Sequence, residues 1–316
     1  MNELRKDYIL DRWVIISTER KKRPNDFIEG GGKVKEGICY FCPGNEHLTP
    51  PEISRVEENG EWIIRCFPNK FPAVSLEQGE KQENFLKKYP AYGEHEIVVE
   101  TNKHGEELED LGVEHLVKVL DTYGERIDEM MGKEGVKYAV LFRNEGSFAG
   151  ASFIHTHTQI ISLPIIPPIV KEKIDAQAEY LKSNGTCPYC DIWKKEMKSE
   201  RKITEDDNIA AFAPYASRFP FEVWIMPKRH VGKISSLSKD EKHSFAVMFK
   251  KIMTKLDSML NNPPYNLLFY VAPEGDDLHF HIEICPRLAK WAGFEFGSGI
   301  VINTMSPEDA AEFYRN

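Results

Sequence analysis

Two copies of one arrangement of cysteines and histidines run through this chain, and this repeat constrains its fold more than any other feature. Each copy has a CxxC pair, a β-rich run ending in a turn with a histidine, a helical segment, a second β-rich run and an HxHx(Q/E) motif. The matching positions are Cys39 and Cys187, Cys42 and Cys190, His104 and His230, and His155 and His279. Such internal repetition indicates a duplicated supersecondary unit.

The spacing of apolar residues predicts the elements of each copy. Apolar residues at helical spacing predict helices over 108–131 and 245–260, and a capping-box pattern at 238–241 opens the second. The runs 138–142 and 265–270 are typical of strands, and both HxH motifs are expected to lie on strands. Another helix is expected over 170–183.

The repeat and these elements together predict an α+β fold. We expect tandem duplicated halves, 1–166 and 167–316, with antiparallel sheets and helices packed on one side. The proline-rich stretch LPIIPPI is the expected crossing between the halves. A duplication of this kind could pair into one continuous sheet.

The overall charge argues against two classes of partner. The 316 residues include 41 Lys+Arg and 50 Asp+Glu, a net charge of −9, which argues against a nucleic-acid coat and a polybasic membrane anchor. No apolar run approaches the roughly 18 residues of a membrane span, and no secretory signal is recognisable at the start. We therefore expect a cytoplasmic protein with no nucleic-acid partner and no membrane association.

Each copy carries the residue types of a structural zinc site. Two thiolates and two imidazoles make a tetrahedral Cys₂His₂ shell. The predicted ligand sets are Cys39, Cys42, His104 and His155, and then Cys187, Cys190, His230 and His279. A thioredoxin-like dithiol is disfavoured for the first pair, because a turn at 43–45 follows it and no helix starts there. We expect two zinc ions per chain, with a role in support of the fold.

The first HxH motif is the expected reactive site. In an extended strand His155, His157 and Gln159 share one face, so one row of side chains can serve a metal and a reacting phosphate. Upstream, the loop 144–152 carries two glycines, which allow backbone N–H groups to approach phosphate oxygens. A second metal pair and an ordinary glycine turn are the simpler alternatives for these two features.

The motifs CYFCPGN, RCFPNKFPA and RNEGSFAGASFIHTHTQ, in this order, resemble the galactose-1-phosphate uridylyltransferase family of the histidine triad superfamily. The chain also resembles the sister group of ADP-sugar phosphorylases, or adenylyltransferases, above all in its C-terminal half. The resemblance implies histidine-triad-like halves and a homodimer with a shared active site. It also implies a ping-pong reaction in which a histidine takes a nucleoside monophosphate from a nucleotide sugar and passes it to a sugar 1-phosphate.

The resemblance assigns roles to individual residues. His157 matches the nucleophile, Gln159 matches the amide that holds an α-phosphate oxygen, and His155 matches a zinc ligand. Because glutamine cannot act as a proton donor, Gln159 suits transfer between weakly basic phosphates better than hydrolysis. The positions that match substrate contacts are Arg20, Arg23, Asn69, Phe71, Asn144, Gly150, Ser152, Lys290 and Glu295.

Three functions fit the sequence. The first is transfer of a nucleoside monophosphate from UDP-glucose to galactose 1-phosphate, a step of galactose metabolism. The second is the same chemistry on ADP-sugars, favoured by the segment FGSGIVIN, where the glutamine expected after Glu295 is missing. The third is a zinc-stabilised nucleotide-binding protein without catalysis. In the second copy His281 and Glu283 stand where His157 and Gln159 stand in the first, but carboxylates nearby would repel phosphate there.

Overall fold

Ten strands form one antiparallel sheet that runs through both halves of the chain. The computed structural model describes residues 3–6, 13–16, 38–77 and 79–316. The first half contributes β3 (Ser54–Glu58), β4 (Glu61–Pro68), β7 (His95–Val99), β8 (Tyr138–Glu145) and β9 (His157–Leu163). The second contributes β10 (Lys202–Glu205), β11 (Ile209–Phe212), β12 (Val223–Pro227), β13 (Tyr265–Tyr270) and β14 (His281–Pro286).

The strand order repeats the duplication seen in the sequence. The sheet runs β3-β4-β7-β9-β8 and continues as β13-β14-β12-β11-β10, so each half has the same order and the two meet back to back. At the junction β8 pairs with β13 in an antiparallel register that sets Phe142 opposite Leu268. The α+β class, the duplicated halves and the single continuous sheet are therefore confirmed.

Local sequence explains the hairpins and the buried strands. Asn59 and Gly60 join β3 to β4 and both have positive φ, 53° and 84°, as a tight hairpin turn requires. Strand β7 lies between β4 and β9, and all five of its residues are buried. Strand β11 is equally buried in the second half. Strand β11 is accordingly fully apolar, IAAF, whereas β7, HEIVV, also buries the polar side chains of His95 and Glu96.

Six helices accompany the sheet in the described part of the chain. Helices α1 (Val113–Met131) and α4 (Lys239–Leu260) pack against each other and share one apolar core with the sheet. The capping box of α4 is present, with Ser238 and Glu241 bonded reciprocally. The other helices are α2 (Pro168–Asn184), α3 (Pro188–Glu196), α5 (Gly293–Ser298) and α6 (Pro307–Arg315).

A second, smaller sheet forms near the start of the chain. It has the order β2-β1-β6-β5, built from β1 (Glu3–Lys6), β2 (Trp13–Ile16), β5 (Gln82–Glu83) and β6 (Lys87–Pro90). None of the helices in the described ranges has the length and hydropathy that a membrane span requires.

The observed elements differ from the expected ones in three details. Helix α1 begins at Val113, because the buried Leu108 and Leu111 lie in turns before its Gly112 N-cap. Helix α3 was not predicted. The strands with the HxH motifs begin only at His157 and His281, so the first histidine of each motif lies just before its strand. The expected half boundary, residue 166, lies between the end of β9 and the start of α2.

Candidate active site and metal centres

The four predicted ligands of the first copy come together in space. Cys39, Cys42, His104 and His155 each offer an atom within 4.8 Å of the others. The Nδ1 atom of His155 lies 3.5 Å from Cys39 Sγ and 3.6 Å from Cys42 Sγ, and His104 Nδ1 lies 3.5 Å from Cys42 Sγ. A tetrahedral zinc ion separates sulfur and nitrogen ligands by about 3.5 Å, given its usual bond lengths. This donor set fits zinc.

A second contact orients His155 for metal binding. Its Nε2 donates to the backbone oxygen of Thr101 at 2.8 Å, which leaves Nδ1 as the nitrogen with a lone pair toward the thiols. Burial lowers the pKa of His155, so the ring is neutral, as a ligand must be. Burial raises the pKa of Cys42 to about 11, and a bound cation would lower it again.

The second copy repeats this geometry with slightly wider spacing. The His279 Nδ1 atom lies 3.6 Å from Cys190 Sγ and 4.0 Å from Cys187 Sγ, and His230 Nδ1 lies 3.8 Å from Cys190 Sγ. The Nε2 atom of His279 donates to the backbone oxygen of Pro227 at 2.8 Å. Burial lowers the pKa of His279 to about 4, so this ring is also neutral.

The two CxxC pairs differ in local structure. Cys39 and Cys42 lie in a turn, as the sequence indicates, whereas Cys187 is the N-cap of α3 and Cys190 lies in its first turn. The second pair thus has the helix-start setting of a redox dithiol. Two histidines nevertheless lie within 4.8 Å of its thiols, which favours metal binding there too.

His157 is held with one nitrogen turned toward its own backbone. It is the first residue of β9, and its Nδ1 donates to the backbone oxygen of His155 at 2.9 Å. Nε2 is therefore the nitrogen without a proton, the one that can act as a nucleophile. Phe41 and Phe153 pack on the ring, with centroids 5.4 and 6.1 Å away. The turn that carries Cys39 and Cys42 therefore supplies a wall beside His157.

A cavity of about 330 Å³ opens onto His157 and Gln159. Its walls include Phe41, Phe67 and Phe153, which can pack against a flat base. The predicted substrate residues Asn69, Phe71 and Ser152 line it as well. A cavity lined by aromatic rings, polar groups and a histidine offers the kinds of contact that a nucleotide requires.

The glycine loop is tighter than the sequence indicates. Ala149 and Ala151 both donate their backbone N–H to the oxygen of Gly146, and Gly150 donates to Ser147. These donors therefore stay inside the loop, and Gly150 takes a φ of 91°. Asn144 accepts a hydrogen bond from Asn266 of β13 at 2.8 Å. The predicted residues Asn144 and Gly150 thus shape the loop, while Ser152 lines the cavity.

The other predicted contacts lie elsewhere. Arg20 and Arg23 fall outside the described residues. The Lys290 ammonium lies 5.1 Å from the ring of Phe148 in the glycine loop, and Glu295 accepts the N–H of Ala292 at the start of α5. Neither Lys290 nor Glu295 is among the described residues that line the cavity of their own chain.

A buried ion cluster contacts the chain at the start of β9. Arg143 of β8 is 1% exposed, pairs with Glu100, Glu107 and Glu145, and donates to the backbone oxygen of His157 at 3.4 Å. Glu107 also accepts from Thr156, the residue between the two histidines, at 2.9 Å. Sequence reasoning missed this cluster, because no local pattern shows that these side chains converge.

In the second half, protein side chains fill the space around His281, the residue equivalent to His157. His281 is 0% exposed and makes the same Nδ1 contact, to the oxygen of His279 at 2.9 Å. Its Nε2, however, lies 2.9 Å from the Lys173 ammonium, which also pairs with Glu283 at 2.7 Å. Tyr189 and Tyr270 stack on the ring. No substrate can reach this histidine in the described structure, in agreement with the sequence reasoning that disfavoured a second centre.

His95 was also missed as a part of the site. No functional role was assigned to His95 from the sequence, but His95 is buried and its Nε2 lies 2.9 Å from Gln159 Oε1. Its position just before the IVV run was visible. The pairing of β7 with β9, which brings His95 to Gln159, could not be predicted from the sequence.

Comparison with known proteins agrees with the fold and the repeat. Residues 1–167 match the family described as galactose-1-phosphate uridyl transferase, N-terminal domain, and residues 173–301 match its C-terminal domain. An ADP-glucose phosphorylase of Arabidopsis thaliana is 32% identical, with 99% of this chain and 92% of that protein covered. A galactose-1-phosphate uridylyltransferase of Thermotoga maritima is 31% identical, with 100% and 98% covered.

Solved structures give the same result. The crystal structure of the ADP-glucose phosphorylase from Arabidopsis thaliana with bound ADP-glucose has a TM-score of 0.80 and 32% identity, covering 100% of this chain and 99% of that one. A uridylyltransferase structure has a TM-score of 0.85 and 30% identity, covering 99% and 97%. The chain belongs to the galactose-1-phosphate uridylyltransferase family.

Proposed function

We propose that this protein is a nucleotidyltransferase that moves a nucleoside monophosphate from UDP-glucose to galactose 1-phosphate. The observation that carries the proposal is the setting of His157. Its Nδ1 proton is bonded to the backbone oxygen of His155, and the ring lines, together with Gln159, a cavity with aromatic walls. Family membership supports the same reaction class.

The proposed reaction has two half-steps. Nε2 of His157 attacks the α-phosphorus of the nucleotide sugar, a nitrogen–phosphorus bond forms, and the bond to the leaving sugar 1-phosphate breaks. The second sugar 1-phosphate then attacks the same phosphorus, and the bond to His157 breaks. The Gln159 amide would hold a non-bridging phosphate oxygen in both steps. The leaving oxygen belongs to a weakly basic phosphate, so neither step needs a strong acid.

The second candidate is the same chemistry on an ADP-sugar with phosphate as acceptor. The observation in its favour is the likeness to an ADP-glucose phosphorylase, whose structure was solved with ADP-glucose. Apolar cavity walls such as Phe67 and Ile97 accept either base by packing. A comparison of the two donors therefore has to decide between them.

We propose that each Cys₂His₂ cluster holds one zinc ion, two per chain. The sulfur–nitrogen distances of the first cluster support this ion, and the second cluster repeats its donor set. Zinc would act by holding distant segments together, since each cluster joins residues from several elements.

All six cysteines have free thiols, which supports a reducing, cytoplasmic location.

We also propose a homodimer. The C-terminal segment exposes several large apolar side chains, Phe294, Phe296, Ile300 and Ile302. An exposed apolar stretch of this kind is typical of an interface. Lys290 and Glu295 lie in the same region and are proposed to reach the sugar in the partner's cavity.

Covalent trapping tests the function. We expect brief incubation with labelled UDP-glucose or ADP-glucose to leave label on His157, located by peptide mapping, and the donor that labels faster identifies the base. His157→Ala should lose label and turnover by at least about 10³-fold while it keeps its zinc. The matched control is His281→Ala, which removes the equivalent histidine of the second half and should still be labelled.

Two outcomes would overturn the proposal. Turnover in His157→Ala would exclude this histidine as the nucleophile. Absence of label on the wild-type protein from both donors, with binding intact, would leave a nucleotide-binding protein without catalysis.

A further inference from the structure

We propose that His95 is a positioning residue that fixes the orientation of the Gln159 amide for the transfer. The inference rests on the proposed function, because it concerns how Gln159 serves the reaction at His157. His95 does not line the cavity in the described structure, so it would act through Gln159 and not on the substrate.

The sheet register brings the two side chains together. His95 opens β7, which pairs with β9 so that Ile97 lies opposite Gln159. His95 is two residues before Ile97 and therefore on the same face of the sheet as Gln159. The imidazole is 3% exposed, and its Nε2 lies 2.9 Å from Gln159 Oε1.

Neighbouring hydrogen bonds determine which nitrogen carries the proton. The backbone N–H of Ala73 donates to His95 Nδ1 at 3.2 Å, so Nδ1 has a lone pair and Nε2 has the hydrogen. The Asn69 amide lies 3.2 Å from Nε2 but presents its nitrogen, because its oxygen accepts the N–H of Phe71 at 2.9 Å. Between Asn69 and Gln159, only Gln159 therefore offers an oxygen to the Nε2 proton.

The direction of the hydrogen bond from His95 to Gln159 determines which group of the Gln159 amide remains for the substrate. With Oε1 bound to His95, the amino group of Gln159 is the part that remains to donate to a phosphate oxygen. A reversed amide would set its N–H against the N–H of His95 and its oxygen against an anionic phosphate, and both contacts repel. His95 thus selects the one amide orientation that can stabilise negative charge at the phosphorus.

The second half lacks this arrangement. The sequence repeat aligns Glu96 with Glu222, so Phe221 takes the place of His95, and Glu283 takes the place of Gln159. Phe221 has no proton to donate, and Glu283 is bound instead by Lys173 and Arg218. The pairing of histidine with glutamine is confined to the half that contains the cavity.

Two substitutions at one position separate the proposed role from a structural one. His95→Asn keeps an oxygen near Nδ1 for the N–H of Ala73 but cannot reach Gln159. His95→Gln places an amide near Nε2 and can still donate to Gln159. We expect kcat for nucleotidyl transfer to fall about tenfold or more in His95→Asn and much less in His95→Gln, since misplacement by about 1 Å can reduce a rate by ~10²-fold. KM, zinc content and Tm should change little in both.

A double-mutant cycle with Gln159→Ala completes the test. If His95 acts through Gln159, His95→Asn should add less than about twofold to the loss caused by Gln159→Ala. Independent, multiplying losses would overturn the proposal, as would an unchanged kcat in His95→Asn. Label on His157 in the wild-type protein establishes the reaction separately; its absence would contradict the proposed function and this role with it.

Discussion

At the scale of single residues, His157 and His281 show how neighbours decide reactivity. Both open a strand, and both donate from Nδ1 to the backbone oxygen two residues earlier, at 2.9 Å. His157 lines a cavity, whereas the Nε2 atom of His281 lies 2.9 Å from the Lys173 ammonium. The same motif therefore gives one histidine that borders a cavity and one that is enclosed by side chains, and only the first is proposed as a nucleophile.

The buried cluster around Arg143 predicts a pH dependence of stability. Burial, reinforced by Glu145 and opposed by Arg143, raises the pKa of Glu107 from 4.5 to about 8. A carboxyl whose pKa is higher in the folded chain stabilises the fold fully below its unfolded pKa and less as pH rises toward 8. We expect the Tm of the wild-type protein to fall between pH 5 and pH 8, and that of Glu107→Gln to fall less.

Thermal denaturation across this pH range measures the effect. Because 1 kcal/mol shifts Tm by about 2–4 °C in larger domains, a difference of a few degrees is expected. Glu57→Gln is the control, since the Glu57 side chain is 55% exposed. Parallel curves for the wild-type protein and Glu107→Gln would contradict the assignment.

At the scale of elements, each Cys₂His₂ cluster involves a different kind of segment. The first fixes the turn with Phe41, which packs on His157, whereas the second fixes the start of α3. We expect Cys42→Ser and Cys190→Ser each to lose one zinc ion per chain, measured by metal analysis. Cys42→Ser should lower turnover by about tenfold or more, because the cavity wall loosens. Cys190→Ser should lower Tm by several degrees with a smaller change in turnover.

Cys66→Ala is the control for the metal prediction, because Cys66 is buried in β4 outside both clusters. It should keep both ions. Loss of both ions in either serine variant would mean that the two sites are not independent, and unchanged zinc in Cys42→Ser would exclude the first ligand set.

Many of the helices, strands and Cys/His clusters could be predicted from the sequence. The capping-box pattern marked the start of α4, and the repeat grouped the four residues that come together in each Cys₂His₂ cluster. Helix α3 was missed because it is short and begins inside a CxxC motif, with Pro188 at its first position. The late start of β9 was missed because His155 is drawn into a bend by contacts with distant residues, Thr101 and the thiols. His95 and Arg143 depend on strand register, which local patterns do not encode.

At the scale of the whole molecule, one side chain links the second half to the glycine loop of the first. Asn266 of β13 donates to Asn144 Oδ1 at 2.8 Å and to the oxygen of Ala149 at 2.9 Å, and it accepts from Arg287. We expect Asn266→Ala to lower the free energy of unfolding by about 1–3 kcal/mol, because these partners lose their bonds. KM for the nucleotide sugar should rise as the loop loosens.

Chemical denaturation and steady-state kinetics check this prediction together. Asn184→Ala is the control, since the exposed side chain of Asn184 bonds only within α2 in the described contacts. If Asn266→Ala lowered stability without a change in KM, the link between the junction and substrate binding would be wrong.

The two outer strands of the large sheet bear on how the protein avoids aggregation. An open sheet offers unpaired backbone groups at each edge, which can recruit strands from other chains. Here β3 reads SRVEE, mostly charged and exposed, and β10 is only four residues long with α6 packed beside it. The duplicated sheet is twice as wide as one half, but it has no additional unpaired edge. Strands β8 and β13, which would each be an edge strand in an isolated half, pair with each other and join the halves.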